Sequence, residues 1–239
     1  MTMQASHGDA VRDTGPTYLD RPSAVTRSLL GYGPLAAVVY LASGVTQGLT
    51  RDGFDLGRHS LSLLANGPHG WIHVTTLVVT GLMTIAAAVG VQRALRGAAD
   101  RTWAGRLLAG YGLALVLGGV FVADPMDGFP LGTPAGAPVE PTLGGVLHLA
   151  AGGLGFACLV AAAVSLARRF AREGRTRWAA SSAVTGAVVL AGFAGVAGGG
   201  ASPLAVAGLW AAVVTGWAWV AAVSVHLYRR TPHPTRPRG

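Results

Sequence analysis

The chain has 239 residues, of which 51% are hydrophobic and only 12% are charged. This balance excludes an ordinary soluble domain, in which about a quarter of the residues carry charge. The net charge of +8 would suit a protein that binds nucleic acid, but no soluble domain is predicted that would present a basic surface, so we expect no nucleic acid to bind. We therefore predict that the chain is a membrane protein embedded in the lipid bilayer.

Six apolar runs follow one another along the chain, and each has about the 20 residues that a helix needs to cross the hydrocarbon core. They predict transmembrane helices over residues 29–50, 71–92, 103–123, 143–167, 178–198 and 203–228. The short glycine-rich link before Pro203, with Ser202 as a helix cap, predicts that the last two helices are antiparallel neighbours. Residues 1–28 are predicted to be a disordered cytoplasmic tail, and residues 229–239 a basic cytoplasmic tail.

The positions of the cations predict the orientation of the bundle. All 18 cationic residues are arginines, and 16 of them lie before the first run, after the last run or in alternate gaps between runs. Cations in short loops keep those loops on the cytoplasmic side of a membrane. We therefore predict an all-α, six-helix bundle in the cell membrane, with both termini in the cytoplasm and membrane lipids as partners.

Two loops on the predicted outer side are too long to be simple turns. In the first, residues 51–70, apolar and polar residues alternate at helical spacing between Asp55 and Leu64. This pattern predicts a short helix lying on the membrane surface. The second, residues 124–142, is rich in proline and glycine and contains no cation, which predicts either an ordered acidic lid or a plain connector.

Two parts of the chain carry a resemblance to a known family. The first reads RHSLSLLANGPHGWIHVTTLVVTGLM from Arg58, and the second reads VFVADPMDGFPLGTP from Val120, followed by GVLHLAAGGLGF from Gly145. Together they resemble actinobacterial-type members of the domain of unknown function family 998 (DUF998), a group of six-helix integral membrane proteins. The resemblance implies a fold and a membrane location but no activity. Members often begin the fourth helix with two histidines, whereas this chain has only His148 there.

Polar side chains that the topology does not explain gather at the predicted outer end of the bundle. They are His59, Ser60, His73, Asp124, Asp127 and His148. Imidazole and carboxylate groups together can hold a zinc ion, or can act as acid and base without a metal. Our leading prediction is an outer pocket that binds a lipid headgroup or a small ligand through Asp124, His148 and His59.

Two alternatives stay open. In the first, the protein is a metal-dependent intramembrane hydrolase or lipid-modifying enzyme whose metal is held by Asp124, His148 and either His59 or His73. In the second it is a transporter, although no carboxylate falls near the middle of a predicted helix. The chain has no nucleotide-binding loop and no catalytic-triad signature, and we expect no cofactor.

Several of these candidates also fit a purely structural role. Asp124 precedes Pro125 at a helix end, where a short carboxylate commonly accepts hydrogen bonds from turn amides. His73 lies at helical spacing with threonines 76, 80 and 84. A polar stripe of this kind is typical of hydrogen bonding between helices.

Overall fold

The computed structural model of the chain describes residues 17–96, 103–197 and 202–237. Its helices are α1 (Arg21–Thr50), α2 (Gly70–Ala94), α3 (Ala104–Val120), α4 (Leu143–Arg172), α5 (Thr176–Ala197) and α6 (Pro203–Arg230). Five of them are long and apolar enough to cross a membrane, and α3, with 17 residues, is a shorter apolar helix. The predicted all-α membrane bundle of six helices is confirmed.

The helices close into a ring. Each packs against its neighbours in sequence, and α1 also packs against α6. The predicted contact between α5 and α6 is confirmed, and Ser202 caps α6 by accepting a hydrogen bond from the amide of Ala205 (3.2 Å). We call the end of the ring that carries residues 51–69 and 121–142 the loop end. The opposite end, where α1 begins and where α2, α4 and α6 finish, is called the arginine end.

Two glycines bring the backbones of α2 and α3 into direct contact. A Cβ atom added to Gly112 would lie 2.7 Å from the carbonyl oxygen of Gly81, and one added to Gly81 would lie 2.6 Å from the carbonyl oxygen of Gly112. Lipid is as apolar as the helix surfaces, so association of helices in a membrane depends on close packing of this kind. The contact holds α3 against the long helix α2.

The helix ends differ from the prediction mainly at the arginine end. Helix α1 begins at Arg21 rather than at residue 29, so the last part of the predicted disordered tail is helical. The predicted basic tail is also partly ordered, because β2 (Thr235–Pro237) pairs antiparallel with β1 (Thr17–Leu19). Hydropathy finds the apolar part of a helix, whereas these polar turns continue beyond the hydrocarbon. Residues 1–16 of the predicted tail lie outside the described part of the chain.

The surface helix predicted between Asp55 and Leu64 is wrong in extent. Only Leu61–Ala65 is helical, as a single 3-10 segment, and the residues before it form turns. The carboxylate of Asp55 accepts a hydrogen bond from the amide of Gly57 (2.8 Å), and the amide of Asp55 donates to the ring of His59 (2.9 Å). Bonds of this local kind compete with the backbone bonds of a helix.

Replacing Gly112 by alanine is expected to lower the free energy of unfolding by about 1–3 kcal/mol, because the new methyl group would force α2 and α3 apart. Denaturant unfolding of the purified protein in one detergent measures this change. Gly31→Ala is the matched control, since no heavy atom lies within 4 Å of the Cβ added there. Equal stability of the two variants would contradict the packing argument.

Candidate functional site

His59 joins the two loops of the loop end. Its Nδ1 accepts a hydrogen bond from the amide of Asp55 (2.9 Å), so the ring proton lies on Nε2, which donates to the carbonyl oxygen of Asp127 (3.0 Å). The residue is 3% exposed, and its ring packs against those of Phe54 and Phe129. Both ring nitrogens are thus occupied by the protein itself. His59 acts as a bridge between loops in this structure.

Arg51 makes a second bridge from the end of α1. Its guanidinium group donates to the carbonyl oxygens of Leu64 and Asn66 and lies 5.1 Å from the centre of the Phe129 ring. The side chain of Asn66 in turn donates to the carbonyl oxygen of Ala123 (3.0 Å). Burial lowers the pKa of Arg51, but the ordinary value is so high that the group stays charged at neutral pH.

Asp124 holds the start of α4. Its carboxylate accepts hydrogen bonds from the amide (3.0 Å) and the hydroxyl (2.6 Å) of Thr142, whose hydroxyl accepts one from the amide of Gly145 (3.0 Å). Gly145 has no room for a side chain, because an added Cβ would overlap the Asp124 carboxylate. Asp124 thus has a structural role, although its partner is the cap of α4 rather than the amides of its own turn.

His148 holds the end of α3. Its Nδ1 lies 2.8 Å from the carbonyl oxygen of Phe121 and 3.1 Å from that of Gly118. Carbonyl groups in the last turn of a helix have no partner within the helix. The imidazole therefore supplies that partner by donating from Nδ1, and Nε2 is left as an acceptor on a half-buried side chain.

His73 lies in the core of the bundle, one turn into α2 from the loop end. It is completely buried, neither ring nitrogen has a hydrogen-bond partner among the described residues, and its ring meets the edge of Tyr40 at 6.1 Å. The threonines of the predicted stripe donate to backbone carbonyl oxygens four residues earlier in α2. Of these threonines, Thr76 alone also bonds a neighbouring helix within the described residues, through the hydroxyl of Ser43 on α1 (2.7 Å).

The predicted site residues therefore do not form a single cluster. Ser60 pairs with the hydroxyl of Ser62 (3.0 Å), and Asp127 contributes backbone groups to the loop contacts. Across the described ranges 17–96, 103–197 and 202–237, no three His, Cys, Asp or Glu side chains form a group that could hold a metal ion. The metal-dependent alternative gains no support from this geometry.

A cavity of about 470 Å³ opens at the arginine end. Its walls come from α1, α2, α4 and α6 and from the residues that follow the last three of these helices. The cations along it are Arg93, Arg96, Arg169, Arg175 and Arg230. Glu173 is the one carboxylate among the lining residues that the structure describes. Buried Leu95, Phe170 and Leu227 complete the wall.

Hydrogen bonds and ion pairs hold three of the five guanidinium groups around this cavity. Arg93 donates from Nε to the hydroxyl of Thr26 (3.1 Å). Arg169, which is 8% exposed, binds one oxygen of Glu173 (2.8 Å), and Arg175 binds the other (3.1 Å). Positioned guanidinium groups are suited to bind the oxygens of a phosphate, often two at a time.

Sequence reasoning did not find this cavity. The sequence predicts the arginines as signals of membrane orientation, which accounts for their presence at one end but not for their convergence. The signal that could have pointed to a site is Glu173, which stands alone among five arginines between residues 168 and 177. A further cavity of about 480 Å³ lies between α5 and α6 and is lined mainly by small apolar residues. It offers no charged group to a ligand.

Comparison with known proteins identifies a family but no activity. The model of DUF998, described as a protein of unknown function, matches residues 34–226. No curated protein and no solved structure matches the chain. The matched region begins within α1 and ends within α6, and so includes the loop end and four of the five arginines that line the cavity.

Removing the imidazole in His59→Ala is expected to speed amide exchange in residues 126–136 and to lower the free energy of unfolding by about 1–3 kcal/mol, because the buried backbone groups that it binds would lose their partner. Hydrogen–deuterium exchange with mass spectrometry in detergent measures the first effect. His69→Ala is the control, since that side chain is exposed in the same loop. Unchanged exchange in His59→Ala would show that the bridge does not order the loops.

Proposed function

Since the chain belongs to DUF998, a family of unknown function, we propose its function from the cavity at the arginine end: it is a membrane protein that binds a phosphate-bearing anion there. The phosphate group is the shared chemistry of an anionic lipid headgroup and a free phosphate ester. The proposal keeps the lipid headgroup that we predicted as a ligand, and moves its site to the opposite end of the bundle.

The observation that carries this proposal is the imbalance of charge in a cavity that opens at one end of the bundle. Five arginines and one glutamate line the cavity, which leaves four positive charges uncompensated by the described lining. Guanidinium groups that converge on one cavity repel one another, and an anion with hydrogen-bond acceptors relieves this repulsion. A phosphate supplies both, because it carries charge and presents several acceptor oxygens.

We also propose that the arginine end faces the cytoplasm of the cell. The arginines in the short loops and at the chain ends support this orientation. The cytoplasmic leaflet is the one that carries anionic lipids, and basic pockets between helices on that side are known to hold lipid headgroups. A cytoplasmic arginine end would therefore face the leaflet that contains the proposed anionic ligand.

The sequence-based proposals for the loop end remain predictions. His59, Asp124 and His148 are engaged in holding the two loops and the ends of α3 and α4. A transporter would need a path through the ring, whereas Leu30, Val91 and Leu166 fill its interior with less than 1% exposure. We therefore place the functional site in the arginine-lined cavity.

Cysteine labelling tests the orientation. In a Cys158→Ser background, Gly136→Cys at the loop end is expected to react with a membrane-impermeant maleimide in intact cells, and Arg229→Cys only after permeabilisation. The two positions lie on opposite ends of the bundle and are both exposed. The reverse labelling pattern would place the arginine end outside the cell and refute the proposed orientation.

Binding measurements on the purified protein in detergent test the ligand. Short-chain phosphatidic acid is expected to bind, with weaker binding as salt is raised. Arg93→Gln should weaken binding about tenfold or more, because a charge-assisted hydrogen bond is lost. Arg177→Gln is the control, since Arg177 is exposed near the same end and outside the cavity.

The choice of probes separates the two sources of phosphate. Binding of phosphatidic acid without binding of glycerol 3-phosphate would identify a lipid, and equal binding of both would identify a soluble phosphate ester. Equal binding of short-chain phosphatidylcholine, or an equal effect of the two arginine substitutions, would refute the proposed function.

A further inference from the structure

We infer that Glu173 is a competitor built into the cavity, and that the ligand is a phosphomonoester whose two negative charges displace the Glu173 carboxylate from Arg169 and Arg175. This inference rests on the proposed function and adds the class of ligand and the residue that selects it. The displacement is an exchange of ion pairs and forms no covalent bond.

The contacts of Glu173 place its carboxylate where a ligand phosphate would bind. One oxygen lies 2.8 Å from Nε of Arg169 and the other 3.1 Å from Nη1 of Arg175. The carboxylate therefore bridges two cavity arginines that come from α4 and from the turn after it. A phosphate that entered the cavity would find the guanidinium groups of Arg169 and Arg175 already bound to the Glu173 carboxylate.

The position of Glu173 on α4 shows that these arginines, rather than the helix, hold it. Glu173 follows the last residue of α4, where the negative end of the helix dipole disfavours a carboxylate. Its pair with Arg169 also has the less favourable order for residues four apart, with the cation nearer the N-terminus. Its side chain is 29% exposed, so the carboxylate has access to water when it leaves the arginines.

The charge of a ligand then determines whether it can replace the Glu173 carboxylate. A phosphodiester has one negative charge, equal to that of the carboxylate, and gains little in the exchange. A phosphomonoester has close to two negative charges at neutral pH and three terminal oxygens. It therefore satisfies Arg169 and Arg175 better than the carboxylate does, and it can also engage Arg93 across the cavity.

A second contact keeps one of the released arginines in position. Nη1 of Arg175 also lies 3.3 Å from Nε2 of His226, and the ring of His226 packs 4.1 Å from that of Trp178. Arg175 thus remains fixed when Glu173 moves away. The site stays arranged for the incoming anion.

Binding of short-chain phosphatidic acid to wild type, Glu173→Gln and Glu173→Ala tests the inference. Both substitutions are expected to tighten binding about fivefold or more, because the anion no longer has to break two ion pairs. Wild type should also prefer phosphatidic acid to short-chain phosphatidylglycerol, which is a phosphodiester. Glu140→Gln is the control, since it removes an exposed carboxylate at the loop end.

The outcomes separate this inference from the proposed function. If wild type binds phosphatidic acid through Arg93 but the Glu173 variants bind equally or more weakly, Glu173 is not a competitor and the proposed function stands. Equal binding of the monoester and the diester by wild type would overturn the ligand class alone. If neither wild type nor the Glu173 variants bind any phosphate probe, both proposals fail.

Discussion

A guanidinium group is expensive to place in hydrocarbon, and this constraint organises most of the molecule. The arginines lie at the ends of helices, where their charged groups reach water or one another. Because α2, α4 and α6 all finish at the same end, their arginines meet around one cavity. The cost of placing guanidinium groups in hydrocarbon thus also brings the arginines together around the cavity.

The sequence predicts the helices well because hydrocarbon demands long apolar runs with every backbone group paired. The sequence predicts the ends of the helices less accurately. The turns at Arg21 and at the end of α4 are polar, so hydropathy does not detect them. The cavity could not be predicted, because Thr26, Arg93, Arg169 and Arg230 converge only when four separate helices pack together.

The contacts of the loop end could not be predicted from sequence for a related reason. Histidine and aspartate in an apolar chain draw attention as candidate ligands, yet loops at a membrane surface have backbone groups that also need partners. His59 and His148 bond backbone carbonyl groups, and Asp124 bonds an amide and a hydroxyl. The sequence shows which residues can form such bonds, whereas their bonding partners depend on loop geometry that no periodic pattern encodes.

The joining of the two ends of the chain has a consequence for biogenesis. Arg27 donates to the carbonyl oxygens of Tyr228 (3.3 Å) and Thr231 (2.8 Å), and the amide of Asp20 donates to the carbonyl oxygen of Pro234 (2.6 Å). The residues at the start of α1 are therefore made long before their partners at the end of α6. Until α6 leaves the ribosome and inserts, α1 lacks one flank and the arginine-lined cavity lacks one wall. Ring closure, and with it the completion of this cavity, therefore follows the insertion of α6.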